Sequence, residues 1–176
     1  TDNRSGSQSF IAASSTSNQR IESWWGILRK EGMEFWIQFF GEVKDQGLFG
    51  GDFLDKSLMQ LSFQSLIQEQ LDNIKAVWNS HRIRPTKNTN VPSGIPDLMY
   101  TAPHLWECED FVVPHNNLNA FKQLCKFLST VPCDEDVFDL CNVIMSESGL
   151  TFPTDIPQAQ EFYLRIREVL HSIVFD

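Results

Sequence analysis

A mainly α-helical protein is what this sequence predicts, and three observations carry the expectation. Apolar residues recur at i, i+3, i+4, i+7 over long stretches, the spacing of helix faces that pack on a core. The prolines fall between those stretches, where they deny helix. No segment alternates apolar and polar residues strongly enough to argue a strand-rich region.

Residues 3–15 are polar and serine-rich and read as loop. A first helix is expected from about Ser17 to Gln46. Thr16 and Gln19 have the spacing of a capping box, in which two side chains satisfy amides left open at a helix start. Ile21, Trp24, Trp25 and Leu28 then form an apolar stripe that continues through Trp36, Phe39, Phe40 and Val43. Gly32 interrupts it and should weaken or bend the helix, since glycine costs about 1 kcal/mol relative to alanine there. Glu22, Gly26 and Arg29 lie along the stripe's border, and Gly47 is the expected stop.

The glycine-rich run from Gly47 to Gly51 reads as a turn. Asp52 or Asp55 can then cap a second long helix carrying Leu58, Leu61, Leu66, Ile67, Leu71, Ile74, Val77 and Trp78, with its end near 79–81. Pro85, Pro92 and Pro96 exclude any helix over 82–97; Leu98, Met99 and Tyr100 form a brief extended piece or a short helix. Three shorter helices follow at about 117–129, 134–147 and 157–174. Asp134, Glu135 and Asp136 suit the positive end of the second, and Pro157 suits the first turn of the third.

The bulk numbers exclude several classes. At 176 residues, 41% hydrophobic and 12% aromatic, the chain can bury a core and is not disordered. No apolar run reaches the length of a membrane span, and the first 20 residues contain no apolar signal region. Cys108, Cys125, Cys133 and Cys141 form no Cys-x-x-Cys pair and have no histidine at zinc spacing. They are expected as buried free thiols in a reducing compartment, which places the protein inside the cell, in nucleus or cytoplasm. The net charge of −9 is unevenly spread: residues 1–105 carry a balance of −1 and residues 106–176 a balance of −8. Two regions follow from this, 1–105 and an acidic helical tail, 106–176. Basic side chains cluster locally at Arg29 and Lys30 and at Arg82, Arg84 and Lys87. Those five are the candidate phosphate contacts, while the tail would repel phosphate.

Two motifs in the first region carry a resemblance. Ser17-Asn18-Gln19-Arg20-Ile21-Glu22-Ser23-Trp24-Trp25 resembles the segment bearing the third catalytic carboxylate of the integrase core family, the DDE group of retroviral integrases and transposases. Trp78-Asn79-Ser80-His81-Arg82-Ile83-Arg84-Pro85, followed by Pro92-Ser93-Gly94-Ile95-Pro96-Asp97-Leu98-Met99-Tyr100, is similar to the tail of such cores. The stretch 15–100 resembles the transposon-derived integrase-core proteins of animal genomes. Thr1-Asp2-Asn3 resembles the surroundings of the family's second catalytic aspartate, although Arg4 stands where the family has glycine and the separation from Glu22 is short.

The resemblance implies the helical C-terminal part of an RNase H-like α/β core, incomplete on its N-terminal side and lacking the first catalytic aspartate, followed here by the small acidic bundle. It implies Mg²⁺-dependent DNA cleavage and strand transfer as the ancestral activity, with Glu22 and Asp2 as catalytic and metal-holding carboxylates and Mg²⁺ as the cofactor of an active form. It implies DNA contact through 15–100. Nucleic-acid binding without a full active site is the function expected of this chain. The rival expectation is a helical protein–protein interaction module, with a partner protein or self-association and no DNA chemistry. Trp24, Trp25, Trp36 and Trp78 are expected in the core, and His81 carries no catalytic role.

Overall fold

The computed structural model describes residues 19–85, 93–108, 118–125 and 131–175. Among them the regular elements are helical: α1 (Gln19–Leu28), α2 (Glu34–Asp45), α3 (Phe53–Ser80), α4 (Pro96–Thr101), α5 (Leu118–Cys125), α6 (Glu135–Ser148) and α7 (Ile156–Phe175). A π-helical turn (Arg29–Met33) joins α1 to α2, and a 3-10 turn (Pro103–Trp106) follows α4. The mainly α expectation holds for these residues, whose one extended pairing is an isolated antiparallel bridge between Ile83 and Gly94. No described helix is long and apolar enough to cross a membrane. Thr16 of the capping box and the 3–15 loop lie outside the described residues.

The helix ends follow from their capping groups. Helical backbone runs without a break from Gln19 to Asp45, with its disturbance where Gly32 predicts it: Gly32 is buried within the π-helical turn. Gly47, at φ +71°, closes α2, its N–H reaching the Lys44 carbonyl and that of Leu48 the Val43 carbonyl. Asp52 caps α3 through the Asp55 N–H at 2.7 Å. Pro96, expected to exclude helix, instead opens α4, because a proline is tolerated in the first turn; Pro96 and Asp97 are therefore helical together with residues 98–100. Asp134 caps α6, accepting from the Asp136 and Val137 amides, and Gly149 ends it in the left-handed conformation. Asp155 accepts from the Gln158 amide at 2.8 Å in the first turn of α7.

The chain divides into two compact units, Thr1–Glu34 with Asn73–Leu118 and Phe35–Asp72 with Asn119–Asp176. The second holds every fully buried apolar side chain among the described residues: Trp36, Val43, Leu58, Leu61 and Phe63 from α2 and α3, and Val137, Cys141, Ile144, Met145, Ala159, Phe162, Tyr163, Ile166 and Leu170 from α6 and α7. Trp36, Phe39, Phe40 and Phe63 pack edge-on and stacked with centroids 5.3–6.1 Å apart. The Trp36 indole N–H donates to Gln70 Oε1 at 2.6 Å, satisfying its polar edge.

Within this apolar unit sits a carboxylate with no exposed surface. Asp55, on the first turn of α3, accepts from the Arg167 guanidinium (Nε–Oδ1 2.7 Å) and from the Gly50 N–H on Oδ2. The Tyr163 hydroxyl donates to the Leu48 carbonyl at 2.8 Å and stands 3.4 Å from Asp55 Oδ1; His171 Nε2 lies 3.8 Å from the same oxygen. Tyr163, Arg167 and His171 are four residues apart on α7, so one line of that helix faces one carboxylate. Burial pushes the Asp55 pKa up, but the Arg167 hydrogen bond, the Gly50 amide and the charges of Arg167 and His171 outweigh it and hold the group below the ordinary aspartate range. Burial, reinforced by Asp55, pushes the Tyr163 phenol up.

Two expectations are corrected. Trp25 is 58% exposed, because Trp24, its neighbour on the stripe, takes the inward position. Of the cysteines, all free thiols, only Cys141 is fully buried, and burial raises its pKa to about 11. Cys125 is exposed at the end of α5, as is Cys108. Trp36 is buried as expected.

The Asp55 network makes two predictions. Arg167→Met leaves an unneutralised buried carboxylate and should lower unfolding free energy by about 3–5 kcal/mol in urea melts. Asp55→Asn with Arg167→Met should cost less than the sum of the single changes. The acid response has a fixed sign. An unfolded aspartate titrates near 3.9, above the folded value, so the unfolded chain binds more protons in that interval. The contribution of Asp55 is fully present above about pH 4 and is lost as pH falls through its folded pKa. Urea midpoints measured downward from pH 5 should therefore drop more steeply in the parent chain than in Asp55→Asn.

Candidate nucleic-acid interface

The first unit is organised by rings and backbone clamps. Trp24 on α1 packs against Trp78 near the end of α3, centroids 4.7 Å apart, and Trp78 packs against His81 at 4.4 Å. His81 Nδ1 hydrogen-bonds the Trp78 carbonyl, so this histidine ends a helix. Ile27, Ile74 and Val77 join the two tryptophans around an apolar cleft of about 370 Å³. Ile21, Ile83 and Pro96 line a second hollow against the same indoles.

Beyond His81 the chain is extended. Ile83 exchanges two backbone hydrogen bonds with Gly94, at 2.8 and 3.1 Å. Ile83 lines the hollow beside the tryptophans, and Arg82 and Arg84 on either side of it are exposed. Gly94 is held from its other side. Its φ is +148°, and a Cβ there would lie 2.6 Å from Trp106 Cζ2 and 3.3 Å from Met99 Cγ. The Trp106 indole N–H donates to the Ser93 carbonyl at 2.8 Å. Sequence reading picked out this stretch through its prolines and arginines but missed Trp106 as its clamp; a tryptophan shortly after the motif was the available signal.

The predicted site residues are distributed as follows. Glu22 is in the first turn of α1 and exposed. Arg29 and Lys30 open the π-helical turn, both exposed; Arg29 Nε pairs with Glu34 Oε2 at 3.2 Å, with 69% and 45% of the two side chains exposed. A pair that open to solvent adds little stability and leaves the guanidinium able to exchange partners. Arg82 and Arg84 flank Ile83, whose backbone pairs with Gly94. Asp2 and Lys87 lie outside the described residues. Among those that are described, no group of three His, Cys, Asp or Glu side chains converges to hold a metal ion. Mg²⁺ keeps several waters and takes one or two protein carboxylates together with substrate phosphates, and of the expected pair Glu22 is the one among the described residues.

Gly94 therefore generates a prediction. Gly94→Ala meets the Trp106 ring and a backbone conformation that side chains rarely adopt, and should cost about 1–3 kcal/mol. A lower melting temperature with a red-shifted tryptophan emission checks it; an unchanged melt contradicts the clamp.

Residues 2–102 match the family model described as integrase core domain. No curated protein and no solved structure matches the chain. The matched stretch is more than half of the sequence and contains Glu22, the Trp24–Trp78 pair and the clamped Arg82–Arg84 segment. This chain belongs to the integrase core domain family.

Proposed function

We propose that the protein binds nucleic acid through the matched region, on a face inherited from an enzyme that cut and joined DNA. The observation that carries this reading is the pair of exposed arginines flanking Ile83 at its bridge to Gly94, inside a region that matches an integrase core. The exposure of Arg82, Arg84, Arg29 and Lys30 supports binding as the part of the family's chemistry this chain performs. Arg82 and Arg84 would bind phosphate through their guanidinium forks, with Arg29, Lys30 and Lys87 as further contacts. In this reading Glu22 and Asp2 are the inherited metal-holding carboxylates of a Mg²⁺-dependent transferase of transposon origin. Both positions fall within the matched span. The half-exposed apolar faces of the first unit, Ile21 at 39%, Trp25 at 58% and Val77 at 70%, suit helices that an RNase H-like sheet covers in the ancestral fold.

The test is a salt series of fluorescence anisotropy on a labelled DNA duplex. Affinity should fall linearly on logarithmic axes as salt rises, and Arg82→Ala with Arg84→Ala should weaken binding and reduce the slope by roughly two. Affinity indifferent to salt would overturn phosphate-led binding. Nicking of the duplex that requires Mg²⁺ and disappears in Glu22→Gln would assign the carboxylate.

A second reading, a helical interaction module, draws on a separate observation. Leu98, Tyr100 and Leu105 in the first unit and Leu140, Val143 and Ile173 in the second are all at least 40% exposed, more apolar surface than a monomer needs to display.

A further inference from the structure

The second unit carries two surfaces that neither motif accounts for. One is a hollow of about 490 Å³ between α2 and the start of α3, walled by Phe40, Phe49 and Met59 with Lys44 and Lys56 at its edge. Both lysines are exposed, and neither pairs with a carboxylate among the described residues. The other is a stripe on α6. Leu140 and Val143 are 40% and 54% exposed, and Asp139 and Glu147 are exposed at its two ends. Residues three and four apart on a helix share a face, so two apolar side chains stand between two carboxylates about 12 Å apart along the axis.

We propose that the α6 stripe of one molecule docks in the α2–α3 hollow of a second copy of this chain. Leu140 and Val143 would enter the apolar wall while Asp139 and Glu147 meet Lys44 and Lys56. Charge complementarity selects this occupant. The excess acid of the chain lies in residues 106–176, and α6 presents part of it around exposed apolar groups, whereas the hollow sets two exposed ammonium groups beside half-buried aromatic side chains. Duplex DNA would meet the lysines but gain nothing from Phe40, Phe49 and Met59. Every copy carries both surfaces, so they are present at equal concentration. The proposal gives the interaction-module reading a surface and a partner, and it does not require the protein to bind DNA.

Sedimentation equilibrium of the full chain at micromolar concentration and low salt tests it. The mass should exceed that of one chain and fall toward it as salt rises. Lys44→Glu with Lys56→Glu, and separately Asp139→Lys with Glu147→Lys, should each weaken association roughly tenfold or more. An equimolar mixture of these two chains restores attraction at both contacts and should associate again. Circular dichroism checks that each chain is folded; should one lose helix, Leu140→Gln with Val143→Gln, both on exposed positions, replaces it and should also abolish association. A single-chain mass at every salt concentration overturns the proposal, as does association that survives either pair of reversals or a mixture that stays monomeric. DNA affinity, read in the anisotropy assay, is independent of all three outcomes.

Discussion

A single carboxylate with no exposed surface sets the arrangement of the second unit. Asp55 sits on the first turn of a helix, where acidic side chains are ordinarily solvated, yet here it is covered from every side. A charge in that position persists only with strong donors, since removing it from water is costly. The loop before α3 supplies the Gly50 amide and α7 supplies Arg167. Apolar faces alone would let α7 slide or rotate against α3, because Ile166, Leu170 and Phe162 are nearly interchangeable as partners. The guanidinium contact admits one register. Tyr163 reinforces it by holding the Leu48 carbonyl, so the turn after α2, the start of α3 and the middle of α7 are fastened at one point.

The two units are stabilised by different means. In the second, burial dominates: a continuous set of side chains from α2, α3, α6 and α7 is removed from water. In the first, no described large side chain is fully buried, and order comes from ring packing between Trp24, Trp78 and His81 and from the Gly94–Trp106 clamp. A unit of this kind opens locally at lower free energy than one with a packed core. The family-matching motifs fall largely in this first unit.

Much of this was legible in the sequence, for physical reasons that also mark the limits. Helices were readable because periodicity and capping are local: Asp134, Pro157, Pro96, Gly47 and the disturbance at Gly32 all act within a turn or two of the chain. Asp52 and Asp55 were both offered as caps, and local pattern could not separate them. What distinguishes them is Arg167, 112 residues away, which no window contains. Trp25 and Cys125 were expected inside because periodicity marks a broad face and not which half of it packs. At the candidate interface, Glu22, Arg29, Lys30, Arg82 and Arg84 were identifiable by residue type and by resemblance. Their grouping was not, because it depends on an Ile83–Gly94 bridge fixed by a tryptophan beyond the motif.

Linear charge also misdescribes the molecule in a way that bears on function. The sequence sets a near-neutral region before an acidic one, but the units interleave them: Lys44 and Lys56 share a unit with the acidic α6 and α7. The described part of the first unit carries nearly equal numbers of basic and acidic residues, so it has no general field to attract phosphate. Any affinity must come from where the basic groups stand. Arg82 and Arg84 flank a residue that is held through its backbone to Gly94 and whose side chain lines the hollow beside the tryptophans. Were that strand free, the two guanidinium groups would sample independent directions, and aligning them on adjacent phosphates would cost side-chain and backbone entropy. The clamp has already met that cost in the folded state. In the proposed nucleic-acid reading, a glycine without charge or hydrogen-bonding side chain would thereby matter to phosphate recognition as much as the arginines themselves.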